Sequence, residues 1–334
     1  MPLPKYSFVI PVYNRPLEIK ELLDSASQLT GAIPFEIIVV EDGSSIPCEA
    51  IVEGYRDRLN ISYFLKPNSG PGNSRNYGMS KASSGYFIIL DSDVILHRDY
   101  LVEVDTYLSE NYLDCFGGPD AADDSFTNLQ KAIDYSMTSL LTTGGIRGNS
   151  NKKHYQPRSF NLGLSREAFQ ATNGFGKIHP GEDPDLVFRL WDSGFKTGFI
   201  PSAVVYHKRR ISWTLFYRQV YKFGSVRPIL NRWHPNYISL TFWFPSLFLL
   251  GFISSFVLLV FGIPYLIILY LFYLALVLLH SFFKTKSTKV AIMSVFAILV
   301  QFCGYGYGFL KNTLILTMNP TKSAEDLFPK LFFK

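Results

Sequence analysis

The sequence predicts an α/β domain with a mostly parallel sheet, followed by an amphipathic helix and C-terminal transmembrane helices. Three observations carry this. Runs rich in Ile, Val, Phe and Tyr stand at Tyr6–Val12, Phe35–Val40, Ile61–Leu65 and Tyr86–Leu90. They are nearly continuous rather than alternating, as strands become when helices cover both faces of their sheet. Helix-like segments alternate with them, and a βαβα order favours parallel pairing. Finally, no Asp, Glu, Lys or Arg occurs between Tyr237 and Phe283, a stretch more than twice the roughly 20 residues that one bilayer crossing needs.

Each element has its own signal. "RPLEIKELLDSASQL" sets Leu17, Leu22, Leu23 and Leu29 among charges, with Pro16 near the start, as suits an amphipathic helix. "GNSRNYGMSKAS" reads as the helix before the fourth strand. Another helix, opened by Glu182-Asp183-Pro184-Asp185, carries Leu186, Val187, Leu190 and Trp191 on its apolar face. In "ISWTLFYRQVYKFG", Trp213, Phe216, Tyr217 and Val220 recur at helical spacing while Arg218 and Lys222 fall elsewhere, as in an interfacial helix. The same face would equally serve to pack on a protein domain. The uncharged stretch reads as a helical hairpin broken near Gly262-Ile263-Pro264. Val290–Leu310 is apolar but holds Gln301, Gly304, Gly306 and Gly308, and is read as a third crossing or as a segment lying in the interface. A crossing there puts the tail outside; an interfacial segment leaves it inside.

Composition narrows the classes. The chain has 334 residues, 48% hydrophobic and 18% charged, with a net charge of +5. A dense share of the basic residues flanks the apolar region, from Lys208 to Arg232 before it and at Lys284, Lys286 and Lys289 after the hairpin. Positive flanks on both sides of a hairpin put both flanks inside. Basic charge beside a membrane suits anionic lipid headgroups, so no nucleic acid is expected. "MPLPKYSFVIPVYN" reads as a strand rather than a signal peptide, which leaves the first domain in the cytosol. Three cysteines, far apart and odd in number, give neither a disulfide framework nor a zinc site.

In a parallel sheet, ligands bind outside the carboxyl ends of the strands. The segments there are "PVYNRP", "EDGSS", "KPNSGPGNSRN" and "DSDV". Asp42 is either a turn residue bonding its own backbone or a ligand contact. Arg75 lies among small residues that let backbone N–H groups approach a phosphate, to which Arg adds a bidentate contact. Asp91 and Asp93 flank one residue, so both point the same way in extended chain. Two adjacent carboxylates repel unless neutralised, and a hard divalent cation does this while binding phosphate oxygens. Acids such as Glu182, Asp183 and Asp185 at a helix start serve as caps and suit the dipole. His207, at the end of a short apolar run, is structural or a ligand.

Taken in order, "SFVIPVYNR", "EIIVVEDGS", "GPGNSRNYG", "IILDSD", "NLGLSREAFQATNGF" and "GEDPDL" resemble family 2 glycosyltransferases of the GT-A fold, over roughly residues 5–210. The resemblance implies a nucleotide-diphospho-sugar donor. It implies that Pro11 and Tyr13 line the nucleoside pocket, that Asp42 contacts the base and that Arg75 meets base or diphosphate. Asp91 and Asp93 match the DxD motif, which holds Mn²⁺ or Mg²⁺ on the diphosphate, with His207 completing that metal site. Asp183 matches the catalytic base. A single displacement with inversion is expected, since nothing suggests a second, nucleophilic carboxylate. The Q-x-x-R-W motif of processive synthases is incomplete: Arg232-Trp233 are present, but Ile229 stands where Gln would be. One sugar per event is therefore expected.

The expected organisation is a GT-A domain over 1–210, an amphipathic interfacial segment over 211–236, a transmembrane region of two to three helices over 237–315, and a tail over 316–334. A site at the cytosolic face of a bacterial inner membrane suits a lipid-linked saccharide acceptor in cell-surface polysaccharide assembly. The alternatives are a polyprenyl-phosphate sugar transferase making a lipid-linked monosaccharide, and a catalytically silent membrane scaffold. Asp120–Arg158 is read as a loop that closes over donor and acceptor.

Overall fold

The structure is a computed structural model that describes residues 3–121, 126–143, 155–207 and 212–333. It divides into two compact units, one of Met1–Asp123, Ser150–Lys208 and Phe332–Lys334, the other of Asp124–Asn149 and Arg209–Leu331.

The first unit is an α/β fold. Its strands β1 (Tyr6–Val12), β2 (Phe35–Asp42), β3 (Ile61–Lys66) and β4 (Tyr86–Leu90) pair in parallel. Two of the four expected strands keep their predicted ends. The other two run slightly further, because Glu41 and Asp42 pair with Leu65 and Lys66. Four more strands share the first unit with β5 (Val94–Leu96) and β6 (Cys115–Gly117): β7 (Asp120–Ala121), β8 (Asn161–Ser165), β9 (Thr197–Phe199) and β10 (Val205–His207). The main sheet has the order β3-β2-β1-β4-β8-β6-β9, with β8 antiparallel to β4 and β6. A smaller sheet has the order β5-β10-β7.

Helices α1 (Pro16–Ala26), α2 (Glu49–Glu53), α3 (Pro71–Lys81) and α4 (Tyr100–Glu110) follow the early strands. Helices α5 (Asn128–Thr138) and α6 (Leu140–Thr143) belong to the second unit, and α7 (Arg166–Thr172) and α8 (Glu182–Asp192) return to the first. Successive strand residues face opposite layers. Phe8, Ile10, Val39 and Ile88 pack with Leu22 of α1 and Val104 of α4. Val9, Ile38, Val40 and Ile89 pack with Met79 of α3 and Leu186 of α8. Two covered faces explain the unbroken apolar runs, each such side chain contributing roughly 1.5–3 kcal/mol on burial. The parallel register sets the ends of β1, β2, β3 and β4 along one edge, where Tyr13–Asn14, Gly43–Ser44, Pro67–Gly70 and Asp91–Asp93 gather.

The second unit is helical. It contains α9 (Trp213–Trp233), α10 (Phe244–Val260), α11 (Tyr265–Thr285), α12 (Thr288–Met318) and α13 (Ala324–Leu327). The break between α10 and α11 falls at Phe261–Pro264, as Gly and Pro there predict. The segments Leu240–Val260, Tyr265–Thr285 and Thr288–Met318 are long and apolar enough to cross a membrane. On α9, Phe216 and Val220 are buried against Ile133 and Ala297, whereas Tyr217 is exposed. The glycines of α12 serve close approach. A Cβ at Gly304 would lie 2.8 Å from Val220, and one at Gly308 would lie 2.5 Å from the Tyr221 carbonyl.

Candidate active site

The acids after β4 sit in a turn closed by Val94 N donating to Asp91 O at 3.4 Å. Each meets an arginine. Arg75 Nη2 donates to Asp91 Oδ1 at 2.9 Å, and Arg15 Nη1 donates to Asp93 Oδ2. Arg75 is only 4% exposed and spans two elements, since its Nη1 also donates to Glu182 Oε1 at 3.2 Å. Its guanidinium lies 5.2 Å from the Phe175 ring centroid. A buried guanidinium needs this company, because desolvating it unpaired is costly. The fork geometry of Arg lets one side chain tie α3 to β4 and α8 together.

The acids at the start of α8 divide their work. Asp185 Oδ2 accepts from Arg189 Nη2 at 2.7 Å, and Arg189 reaches the carbonyls of Thr172 and Gly174, fixing α8 to the end of α7. Glu182 accepts from Arg75 and from His179 Nδ1, the latter at 3.0 Å. Burial alone would raise the Glu182 carboxyl. Its hydrogen bond to His179 and the charges of His179 and Arg75 outweigh that and hold it below its ordinary value. Asp183 differs. Its Oδ2 accepts from Ser159 N at 3.2 Å, while Oδ1 is enclosed with no hydrogen-bond partner. Burial, then the neighbouring Glu182 carboxylate, pushes it up from 3.8 to about 6, against the pull of Arg75 and the Ser159 hydrogen bonds. A carboxylate with a free acceptor atom and a pKa near neutrality is equipped to take a proton.

At the other strand ends, Asp42 is 4% exposed and its carboxylate is occupied by its own chain. It accepts from Ser69 N and Gly70 N, both at 2.9 Å, and pairs with Lys66. It therefore shapes the 67–70 loop that leads into α3. Pro11 is half-buried on β1 opposite Val40, and Tyr13 is 53% exposed just beyond that strand. Asn14 ties this edge together through Oδ1, which accepts from Ser45 N at 2.8 Å and Ile46 N at 3.2 Å. The sequence reading missed Arg15, Lys66, His179 and Glu182 as site residues. A signal for Glu182 was present, as an acid adjacent to Asp183 in the same helical turn, but its pairing with Arg75 joins residues 107 positions apart.

His207 stands opposite Val94 in the β5–β10 pair, so its backbone lies beside the residue that follows Asp93. Its side chain lies outside the described residues, as do Lys208–Arg210 and, within the segment expected as a closing loop, residues 122–125 and 144–154; the rest of that segment is not a single loop, since it holds the helices α5 and α6. Among the described residues no group of three or more His, Cys, Asp or Glu gathers as a metal cage. Two carboxylates two residues apart still fit Mg²⁺ or Mn²⁺ chemistry, which takes one or two protein oxygens and completes its shell with water and phosphate.

A family model described as "Glycosyl transferase family 2" matches residues 7–171, the segment that holds every one of these strand-end loops. The chain carries a family 2 glycosyltransferase domain. Over 113 residues it is 35% identical to poly(ribitol-phosphate) beta-N-acetylglucosaminyltransferase TarS of Staphylococcus aureus, covering 33% of this chain and 20% of that protein. Over 246 residues it is 28% identical to pre-mycofactocin glycosyltransferase of Mycobacterium tuberculosis, covering 68% of this chain and 48% of that one. The chain thus spans between a fifth and a half of the length of these curated relatives. Among solved structures, mannosyltransferase PcManGT from Pyrobaculum calidifontis in complex with GDP-Man and Mn²⁺ has a TM-score of 0.57 at 14% identity, covering 96% of this chain and 88% of that one. S. aureus TarS in complex with UDP-GlcNAc has a TM-score of 0.51 at 16% identity, covering 92% and 91%. The likeness is one of fold, and the family 2 domain has the GT-A architecture.

Proposed function

We propose that the chain transfers a sugar, with inversion, from a nucleotide-diphospho-sugar to a hydroxyl of a lipid-linked saccharide at a membrane face, in cell-surface polysaccharide assembly. The observation that carries this is Asp183, whose enclosed Oδ1 has no partner and whose pKa of about 6 keeps it ionised yet basic at neutral pH. An acceptor hydroxyl must shed a proton as it attacks, and Asp183 takes it. A phosphate acceptor hardly needs a base, so this carboxylate favours a saccharide acceptor over a polyprenyl phosphate.

Arg75 orients Asp91 from behind, and Asp91 with Asp93 and His207 would hold Mn²⁺ or Mg²⁺. That cation supplies charge neutralisation for the departing diphosphate. Pro11 and Tyr13 border the nucleoside, and Asp42 acts on it through the loop that it holds. The relatives support a sugar-transfer reading, as GDP-Man and UDP-GlcNAc are bound in the two fold neighbours. The uncharged α10 and α11, with basic flanks, support membrane attachment and a cytosolic inner-membrane face for the site.

The test is turnover by the full chain in detergent with a panel of nucleotide sugars and a bacterial lipid extract, in Mn²⁺ or EDTA. Metal-dependent release of a nucleoside diphosphate that requires the lipid extract is the expected result. Release indifferent to chelation contradicts the metal role of Asp93, and no transfer to lipid with any donor contradicts the acceptor class.

A further inference from the structure

Phe332 and Phe333 belong to the first unit. Ile178 and Phe332 form an antiparallel bridge, and Phe333 N donates to Lys177 O at 3.1 Å. The Phe333 ring lies 5.6 Å from the His179 imidazole and rests on Gly70, where a Cβ would stand 2.3 Å from it. Strand β1 and Phe333 are thus parts of one folded unit, yet three helices long and apolar enough to cross a membrane lie between them in the chain. Two segments that share a folded unit lie on one side of the bilayer, so the chain between them crosses an even number of times. That parity excludes three crossings.

A separate observation identifies the helix that does not cross. α12 runs along α9: Trp213 meets Phe296 at 4.7 Å between ring centroids, and Asn312 Nδ2 donates to Ser225 O at 2.8 Å. Between these points a Cβ on Gly224 would lie 2.1 Å from the Tyr305 carbonyl, so the backbones themselves touch. Over this length α9 exposes Arg218 and Lys222. Charges of that kind stay out of the hydrocarbon centre unless paired or facing water. A helix packed backbone to backbone against α9 stays at the same depth. α10 and α11 meet the opposite condition, exposing Leu250, Ile253, Leu269 and Phe272 with no charge between Phe244 and Phe283.

We propose that only α10 and α11 cross the membrane. α9 and α12 form a paired platform in the interface on the side of the first unit, where Arg218, Lys222 and Lys311 meet anionic headgroups and Phe333 reaches the donor site. This rests on membrane attachment and not on sugar transfer.

The experiment uses the full chain with an N-terminal epitope, in sealed vesicles of both orientations, carrying Ser287→Cys or Asn319→Cys one at a time. A membrane-impermeant maleimide is the probe. Cys48 and Cys115 are buried, and the unsubstituted chain sets the baseline for Cys303. Both introduced cysteines are expected to label from the side that exposes the N-terminal epitope. Labelling of Asn319→Cys from the opposite side overturns the proposal, since α12 would then be a crossing. A chain released from membranes by alkaline carbonate overturns it too, and also removes the membrane part of the functional reading, while turnover in detergent tests sugar transfer separately.

Discussion

Arg75 Nη2 donates to Asp91 Oδ1 at 2.9 Å, so the acid that follows β4 is oriented by a buried guanidinium from α3. The second branch of that guanidinium reaches Glu182, one residue before the proposed base. A single side chain therefore couples the Asp91–Asp93 turn to the helix that carries Asp183. Replacing Arg75 with Met leaves Glu182 buried without its guanidinium partner and Asp91 unheld. Loss of one partner in such a pair costs about 3 kcal/mol or more. Thermal melting in detergent is expected to fall by several degrees and nucleotide binding to be lost. Arg75→Lys, with one point charge for two acids, is expected to recover stability better than binding.

The Asp183 carboxyl is raised from 3.8 to about 6 by burial and by Glu182, which fixes the sign of two pH effects. The rate needs the ionised form, so kcat/KM should climb about tenfold per pH unit below 6 and flatten above. Stability runs the other way. The folded chain holds this proton more tightly than the unfolded chain, so the contribution of the group is present near pH 4 and is lost as pH rises through about 6. A shift of this size corresponds to at most about 3 kcal/mol at neutral pH. Asp183→Asn should therefore melt higher than the unsubstituted chain at pH 7.5 and lose that advantage near pH 4. Scanning calorimetry at the two pH values checks this.

Phe333 covers His179, whose Nδ1 holds Glu182 at 3.0 Å. It acts through these neighbours, as a positioning residue. Phe333→Ala should raise the KM for the nucleotide sugar about two- to tenfold, the equivalent of one hydrogen bond, with kcat and melting temperature nearly unchanged. Phe333→Tyr should restore it. An equal fall in kcat for both variants would count against the positioning role.

The strands were legible because burial on both faces writes an unbroken apolar run, as in "YFIIL" at β4. The break between α10 and α11 was legible because glycine and proline, here Gly262 and Pro264, punctuate helices. What the sequence hid was pairing across long separations. Arg15 beside Asp93 and Arg75 beside Glu182 carry no local mark, since an Arg in a polar loop looks the same whether solvated or buried. Asp42 shows the converse: its Asp-Gly turn context was readable, but the Lys66 and Gly70 partners that occupy its carboxylate were not. The glycines of α12 counted against a lipid-facing helix, and their use in backbone contact with α9 appears only in three dimensions.

Gly224 tests that contact. A Cβ there would lie 2.1 Å from the Tyr305 carbonyl, and backbone cannot yield as a flexible side chain can. Gly224→Val should destabilise the second unit by about 1–3 kcal/mol, as overpacking does. A lower melting temperature in detergent is expected, and an unchanged one would show that α9 and α12 separate freely.

In the proposed reaction Asp183 removes the acceptor proton. The direct measurement is transfer by Asp183→Asn at saturating nucleotide sugar with Mn²⁺ and acceptor lipid, alongside nucleotide binding to the same variant. Nucleotide affinity is expected to stay within about twofold of the unsubstituted chain, with transfer reduced at least about a hundredfold. Turnover equal to that of the unsubstituted chain would contradict this role of Asp183.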